Sequence, residues 1–114
     1  MDPRITLVIS IIEKQFAREL DSQTLGGAVN LSASRLRHLF KAETGLTPRQ
    51  YLKRLRFEAA RQLLLTTFLS VKQITNRVGI SDDSYFSREF RKIFGMAPGK
   101  FRKASISRDS KSKT

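Results

Sequence analysis

Residues 25–48 read LGGAVNLSASRLRHLFKAETGLTP, and residues 74–98 repeat their pattern as ITNRVGISDDSYFSREFRKIFGMAP. Matching residues are 49 apart up to the serine of the turn and 50 apart beyond it, so one residue is inserted directly after that serine. Each copy predicts a short helix, a turn and a second helix, then a glycine that ends the helix and a proline that begins the next one. The chain therefore contains the same helical unit twice.

The sequence around the repeat is also predicted to be helical. Apolar residues within 5–20 recur at the 3.6-residue spacing of a helix, and the period-two alternation of a strand never persists. Thr47 with Gln50, and Ser70 with Gln73, form the capping-box pattern of a helix start. The predicted helices cover about residues 3–20, 24–29, 33–44, 48–66, 71–78, 82–94 and 98–103.

The turn inside each copy has its own signals. Asn30 and Gly79 stand in the turns, and both residue types accept a positive φ. Ser32 and Ser81 follow them and are predicted to cap the second helix of each copy. The domain organisation that follows is a first helix-turn-helix subdomain at 1–46, a linker helix at 47–66, a second helix-turn-helix subdomain at 67–103 and a disordered polar tail at 104–114.

The charge is distributed unevenly along the chain. The formal net charge is +12, with a pI near 11.0. Residues 1–24 hold three cationic and four anionic side chains, so the remaining residues carry a net +13. The positive excess begins where the repeats begin, which is the pattern expected of a phosphate-binding surface.

Composition argues against several classes of function. The chain has no cysteine and a single histidine, and it has no pair of carboxylates on an apolar face, so we expect neither an enzyme nor a cofactor site. His38 has no second ligand at metal-binding spacing, so we expect no metal. No stretch is apolar enough to cross a membrane, and no signal peptide is recognisable, so we expect a cytoplasmic protein.

The second helix of each copy has a polar face opposite its apolar one. At 100° per residue, Leu36 and Phe40 face inward in the first copy, as Phe86 and Phe90 do in the second. The outer faces are cationic and rich in hydrogen-bonding groups, with short side chains near the helix start, as the major groove of DNA requires. These faces carry Ser34, Arg37, His38 and Lys41 in the first copy and Ser84, Ser87, Arg88, Arg91 and Lys92 in the second.

Different roles are expected for these side chains. Arg37 and Arg88 are the candidates for reading guanine, because a guanidinium can donate to O6 and N7 together. Phosphate contacts are expected from Lys41, Arg91 and Lys92, and from Arg49 and Lys100 beside the helix starts at Pro48 and Pro98. Asp83 lies at the start of the second outer face. It either accepts a hydrogen bond from a cytosine amino group or stabilises the helix by interacting with the positive end of the helix dipole.

These motifs together resemble the DNA-binding domain of the AraC/XylS family of bacterial transcription regulators, over about residues 5–103. The second copy is the more specific part, through the segments RVGIS, SYFSR, FRK and FG at residues 77–81, 84–88, 90–92 and 94–95. The first copy matches at residues 31–32, 36, 39–41, 45 and 48, and the linker at residues 51–52, 56, 59–60 and 63–64.

The resemblance implies an all-α fold of seven helices, with two helix-turn-helix subdomains joined by a central linker helix. It also implies sequence-specific binding to double-stranded promoter DNA, at the nucleoid in the bacterial cytoplasm, and recruitment or positioning of RNA polymerase. We expect the two recognition helices to lie in adjacent major-groove segments. The base-contact positions that it implies are Ser34, Arg37, His38, Asp83, Ser84, Ser87 and Arg88.

The sequence departs from the family pattern at a few positions. Gly26 and Gly27 stand where an alanine and a polar helix former are usual, and each glycine costs a helix interior about 1 kcal/mol. This predicts that the short helix at about residues 24–29 is soft. Thr75 replaces the usual alanine after Ile74, and Ile80 replaces the usual phenylalanine after the turn glycine.

Two questions stay open on the sequence. A non-specific nucleoid or RNA-binding protein would use the same positive charge. That alternative does not explain why the chain contains two units that are each suited to a DNA groove. Most family members carry a further effector or dimerisation domain, so the chain is either a whole regulator or the DNA-binding domain of one. We expect this segment itself to be monomeric.

Overall fold

The computed structural model describes the backbone of residues 1–112 and the side chains of residues 1–106, and the regular secondary structure of this part of the chain is all α-helical. It contains no strand, which confirms the all-α prediction with seven helices. The helices are α1 (Pro3–Gln15), α2 (Ser22–Ala28), α3 (Ala33–Thr44), α4 (Pro48–Thr66), α5 (Val71–Val78), α6 (Asp83–Phe94) and α7 (Pro98–Ser112). None of these helices is long and apolar enough to cross a lipid bilayer.

The helices form two compact units, Met1–Arg56 and a second that begins at Phe57, so that α4 contributes its first half to one and its second half to the other. Each unit buries its own set of apolar side chains. The core of unit 1 contains Ile5, Val8, Ile12, Leu25, Val29, Leu36, Phe40 and Leu52. The buried apolar residues of unit 2 are Phe57, Ala60, Leu64, Ile74, Val78, Ile80, Phe86 and Phe90.

An equivalent pair of aromatic rings holds the recognition helix of each unit against the helix that follows it. Phe40 of α3 meets Tyr51 of α4 edge to face, with 5.6 Å between ring centroids. Phe90 of α6 meets Phe101 of α7 in the same way at 5.4 Å. The partners in the two pairs are 50 residues apart in the sequence, so the repeat extends to the packing that orients the recognition helix.

Most of the helix starts and stops lie where the sequence predicts them. The Ser32 hydroxyl accepts from the Arg35 N–H and caps α3, and Ser70 and Gln73 form a complete capping box on α5. Helices α3 and α6 are each followed by a capping glycine, Gly45 and Gly95, whose φ angles of 81° and 87° lie in the left-handed region that glycine tolerates. The ends of both recognition helices are thus fixed by local chemistry.

The cap of α6 differs from the prediction. The Asp82 carboxylate, not the Ser81 hydroxyl, accepts the hydrogen bond from the Tyr85 N–H, at 3.0 Å, and α6 begins at Asp83. The residue inserted after the serine in the second copy moves the cap one position along the chain. Measured from cap to cap, the two recognition helices are therefore 50 residues apart throughout.

Helix α1 is shorter than predicted, because it ends at Gln15 and not near residue 20. Arg56 makes this early end possible. Its Nε donates to the Phe16 carbonyl and its Nη2 to the Arg18 carbonyl, both at 2.7 Å, so groups that a continuing helix would have satisfied are satisfied by the guanidinium.

Arg102 does the same for the end of α4. Its Nε donates to the Leu64 carbonyl at 3.0 Å and its Nη2 to the Thr67 carbonyl at 3.1 Å, in a part-buried position. Arg102 lies one helical turn nearer to its helix start than Arg56 does, so the two residues do not align in the repeat although they have the same role.

We expect Arg102→Ala to lower the free energy of unfolding by about 1–3 kcal/mol, because two carbonyl groups near the core would lose their donors. Urea unfolding monitored by circular dichroism measures this loss. The matched control is Lys103→Ala, which removes the same charge from the neighbouring exposed position and should change stability little. Equal losses from both variants would mean that charge, and not carbonyl satisfaction, is responsible.

Helix α7 continues where a disordered tail was predicted. Residues 104–112 are helical, and residues 113–114 of the predicted tail lie outside the described part of the chain. No glycine or proline follows Gly99, so nothing in the sequence interrupts a helix that has already started at Pro98. Low apolar content alone was therefore a poor guide to where α7 ends.

Candidate nucleic-acid interface

The predicted recognition face of unit 1 is present as one exposed strip on α3. Leu36 and Phe40 are fully buried, which turns the opposite side of the helix outward. The strip consists of exposed side chains that lie within an arc of about 100° around the helix axis. These side chains are Ser34, Arg37, His38 and Lys41.

Unit 2 presents the matching strip on α6, again opposite two fully buried side chains, Phe86 and Phe90. Its members are exposed except for Ser87, which is half-buried. They are Ser84, Ser87, Arg88 and Arg91, each 50 residues after its counterpart in unit 1. Asp83 is exposed at the first position of the same helix.

The two strips do not carry the same chemistry. The position of Arg37 in unit 1 is taken by Ser87 in unit 2, and the position of His38 is taken by Arg88. The long guanidinium therefore stands one residue later in the second helix, rotated by about 100° around its axis. Two units built alike would present different donors to the DNA they meet.

Lys92, a predicted phosphate contact, is engaged within its own helix. Its Nζ lies 3.2 Å from Glu89 Oε2, one turn earlier, while the lysine side chain stays 77% exposed. An exposed ion pair of this kind contributes little stability, but it offsets part of the positive charge. Lys92 is for this reason a weaker candidate for a phosphate contact than Arg91, which is also exposed.

The two helix starts predicted to hold phosphates differ in what their backbone N–H groups already bind. At Pro48, the Thr47 hydroxyl accepts from the Gln50 N–H at 3.1 Å, so part of the first turn is occupied. At Pro98 the preceding residue is Ala97, which has no side-chain acceptor for the N–H groups of the first turn. The α7 start, with Lys100 exposed beside it, is thus the better suited to a phosphate.

The described part of the chain offers no metal centre. Within it, no three His, Asp or Glu side chains lie close enough together to hold an ion. His38 stands exposed on the α3 strip, among groups that hydrogen-bond and carry positive charge. Its position suits contact with a base or a phosphate.

A family model described as a helix-turn-helix domain matches residues 25–104, which is more than half of the chain. Among curated proteins, the transcriptional activator RhaS of Enterobacter sp. strain 638 is 39% identical over 101 residues. The chain belongs to the AraC/XylS family. That match covers 89% of this chain and 36% of RhaS, so the chain spans about a third of the length of the curated AraC/XylS relatives it matches.

Solved AraC/XylS-type structures have the same fold. The DNA-binding domain of AdpA, determined in complex with a target DNA, matches with a TM-score of 0.86 at 27% identity, over 95% of this chain and 96% of that one. The C-terminal domain of AraT, a response regulator from Geobacillus stearothermophilus, matches with a TM-score of 0.85 at 31% identity, over 90% of this chain and 86% of that one.

One departure from the AraC/XylS pattern, Gly26, has a packing reason that the sequence did not reveal. A Cβ at this position would run into the carbonyl oxygen of Leu31, whereas a Cβ at Gly27 would meet nothing within 4 Å. The Leu31 N–H donates to the Gly26 carbonyl at 2.9 Å, which brings the turn against α2. Gly26 therefore permits the close approach of turn and helix, and only Gly27 is a plain weakness of α2.

A second departure, Thr75, contacts the recognition helix of unit 2. Its side chain is 1% exposed, and its hydroxyl oxygen lies 2.9 Å from Oδ1 of Asp83. The contact between Thr75 and Asp83 could not be predicted from the sequence, because a contact across a turn leaves no periodic signal along the chain. The sequence shows only that threonine is an unusual residue at this position. Ile80, the third departure, is 7% exposed and fills its place in the core.

Proposed function

We propose that this protein regulates transcription by binding a specific sequence of double-stranded DNA, with α3 and α6 each placed in a major-groove segment. The observation that carries the proposal is the pair of exposed, cationic strips at matching positions of two helix-turn-helix units. The determination of the related AdpA domain in complex with a target DNA supports the binding of DNA by this fold.

Within this proposal the side chains divide into two groups by reach and chemistry. Arg37 and Arg88 read guanine by donating to O6 and N7, and the remaining base contacts fall to Ser34, His38, Asp83, Ser84 and Ser87. Lys41, Arg49, Arg91, Lys92 and Lys100 bind phosphates and set the register of each helix along the groove.

The test is selection of binding sites from random duplexes, followed by titration of the selected and a random duplex at one fixed salt concentration. We expect the selected duplex to bind at least about 10³-fold more tightly, as specific complexes typically do. Selection that yields no consensus, with equal affinities for both duplexes and for RNA, would favour a non-specific nucleoid or RNA-binding protein, which the +12 charge also suits.

Lys41→Ala should weaken binding to every duplex by a similar factor, because a phosphate contact carries no sequence information. The slope of log affinity against log salt concentration should become shallower by about one unit. Titrations at several salt concentrations measure this slope. Glu43→Ala, an exposed neighbour of opposite charge, is the control and should leave this slope unchanged. An unaltered slope in Lys41→Ala would remove this residue from the interface.

We further propose that the DNA-bound protein activates transcription by contacting RNA polymerase, and that this segment binds DNA as a monomer. The relative RhaS is a transcriptional activator, which supports a role in activating transcription, although the chain spans only about a third of that protein. An effector or dimerisation domain would then belong to sequence beyond this segment. In vitro transcription from a promoter containing the selected site tests activation, and analytical ultracentrifugation tests the oligomeric state.

A further inference from the structure

Thr75 has an unusual place in unit 2. Of the residues whose side chains are described, 1–106, it is the one polar side chain that is buried, at 1% exposure. Burying a hydroxyl without a partner costs free energy, so its hydrogen-bond partners are part of the reason for its presence. The first unit has Gly26 at the equivalent position and therefore has no such group.

The Thr75 hydroxyl has two acceptors within reach and a single hydrogen to donate. The Lys72 carbonyl and Oδ1 of Asp83 both lie at 2.9 Å from it. Lys72 lies in α5, where a carbonyl already accepts from the N–H four residues later. The Asp83 carboxylate is charged and is the stronger acceptor, so the hydrogen is directed chiefly towards it.

This bond ties down a side chain at the front of the recognition strip. Asp83 occupies the first position of α6, where the helix dipole favours a negative charge, and the residue is exposed. With Oδ1 bound to Thr75, the carboxylate can no longer rotate freely. Its second oxygen, Oδ2, can still accept a hydrogen bond, and the bond at Oδ1 restricts the direction in which Oδ2 points.

We propose that Thr75 is a positioning residue that holds the Asp83 carboxylate so that unit 2 selects a base with an exocyclic amino group in the major groove. Cytosine N4 and adenine N6 are the donors of this kind. Fixing the acceptor beforehand removes the rotational freedom that binding would otherwise have to restrict. The carboxylate also repels phosphate, which favours a base edge as its partner. The inference rests on the proposed sequence-specific DNA binding.

The test compares Thr75→Val, which keeps the shape and removes the hydroxyl, with Thr75→Ser, which keeps the hydroxyl. Site selection with each variant should show that valine reduces the preference for cytosine or adenine at one base pair by about 3- to 10-fold, the worth of one hydrogen bond. Serine should retain the preference. Positions read by unit 1, which has Gly26 and Ala33 at the equivalent places, should not change.

A double-mutant cycle separates positioning from a general effect on the fold. In an Asp83→Ala background, Thr75→Val should cause no further change in base preference, because the side chain it positions is gone. If valine disturbs the fold, as judged by thermal unfolding, Thr75→Ala replaces it, since alanine is the usual residue of the family at this position and fits the space.

The outcomes of these experiments are distinguishable. A wild-type protein without any consensus overturns the proposed function itself. A wild-type consensus that is unchanged in folded Thr75→Val or Thr75→Ala overturns only the positioning role and leaves Thr75 as a tether between α5 and α6. An additive double-mutant cycle would likewise mean that Thr75 and Asp83 act independently.

Discussion

Replacing Arg88 by alanine is expected to weaken binding to the selected duplex by about 5- to 150-fold and to relax the preference at one base pair. The reason is the guanidinium fork, whose bidentate contact with a guanine is worth about 1–3 kcal/mol of discrimination. Arg88 is exposed on the α6 strip, so its removal disturbs no core contact. The measurements are site selection and titration at fixed salt.

Arg61→Ala provides the matched control for Arg88→Ala. It removes one guanidinium from the same unit and so lowers the net charge equally, but Arg61 is paired with Glu58 on α4 and lies off the recognition helices. We expect it to leave the consensus intact. A uniform loss of affinity in Arg88→Ala, with the consensus also intact, would reassign Arg88 to a phosphate.

The second large effect is expected from Gly26→Ala, which should destabilise unit 1 by about 1–3 kcal/mol and reduce DNA binding with it. The added methyl group would meet the Leu31 carbonyl oxygen, which is backbone and cannot rotate out of the way. The turn must therefore move away from α2, which strains the packing around it. Urea unfolding measures the loss.

The adjacent substitution Gly27→Ala should have the opposite sign. Because a methyl group there meets nothing within 4 Å, it should stabilise the protein by about 0.5–1 kcal/mol through better helix propensity and a less flexible unfolded chain. The pair is a sensitive test of the packing around α2. Shifts of the same sign in both variants would contradict the close approach at Gly26.

The contrast between these two glycines illustrates what the sequence could predict. Helix periodicity, caps and stop signals are local, so the repeat, the recognition strips and the glycine stops could all be read along the chain. Propensity assigns Gly26 and Gly27 the same cost, since both lie inside a predicted helix. Only the approach of the Leu31 carbonyl, a contact set by the fold, separates them.

The features that could not be predicted from the sequence depend on contacts between distant residues or on the one-residue insertion that moves the α6 cap. The cap at Asp82 follows from a single inserted residue, which left Ser81 looking like the counterpart of Ser32. The early end of α1 depends on Arg56, about 40 residues later. The bond from Thr75 to Asp83 crosses the turn between two helices, where no periodic pattern marks it.

The two arginines that close the ends of α1 and α4 have a consequence for the order of events during synthesis. Each is supplied from the far end of its own unit, since Arg56 reaches back to Phe16 and Arg102 to Leu64. Neither unit can complete its hydrogen bonding until that arginine has left the ribosome. Unit 1 has all of its parts once residue 56 has emerged, so it can close while unit 2 is still being made.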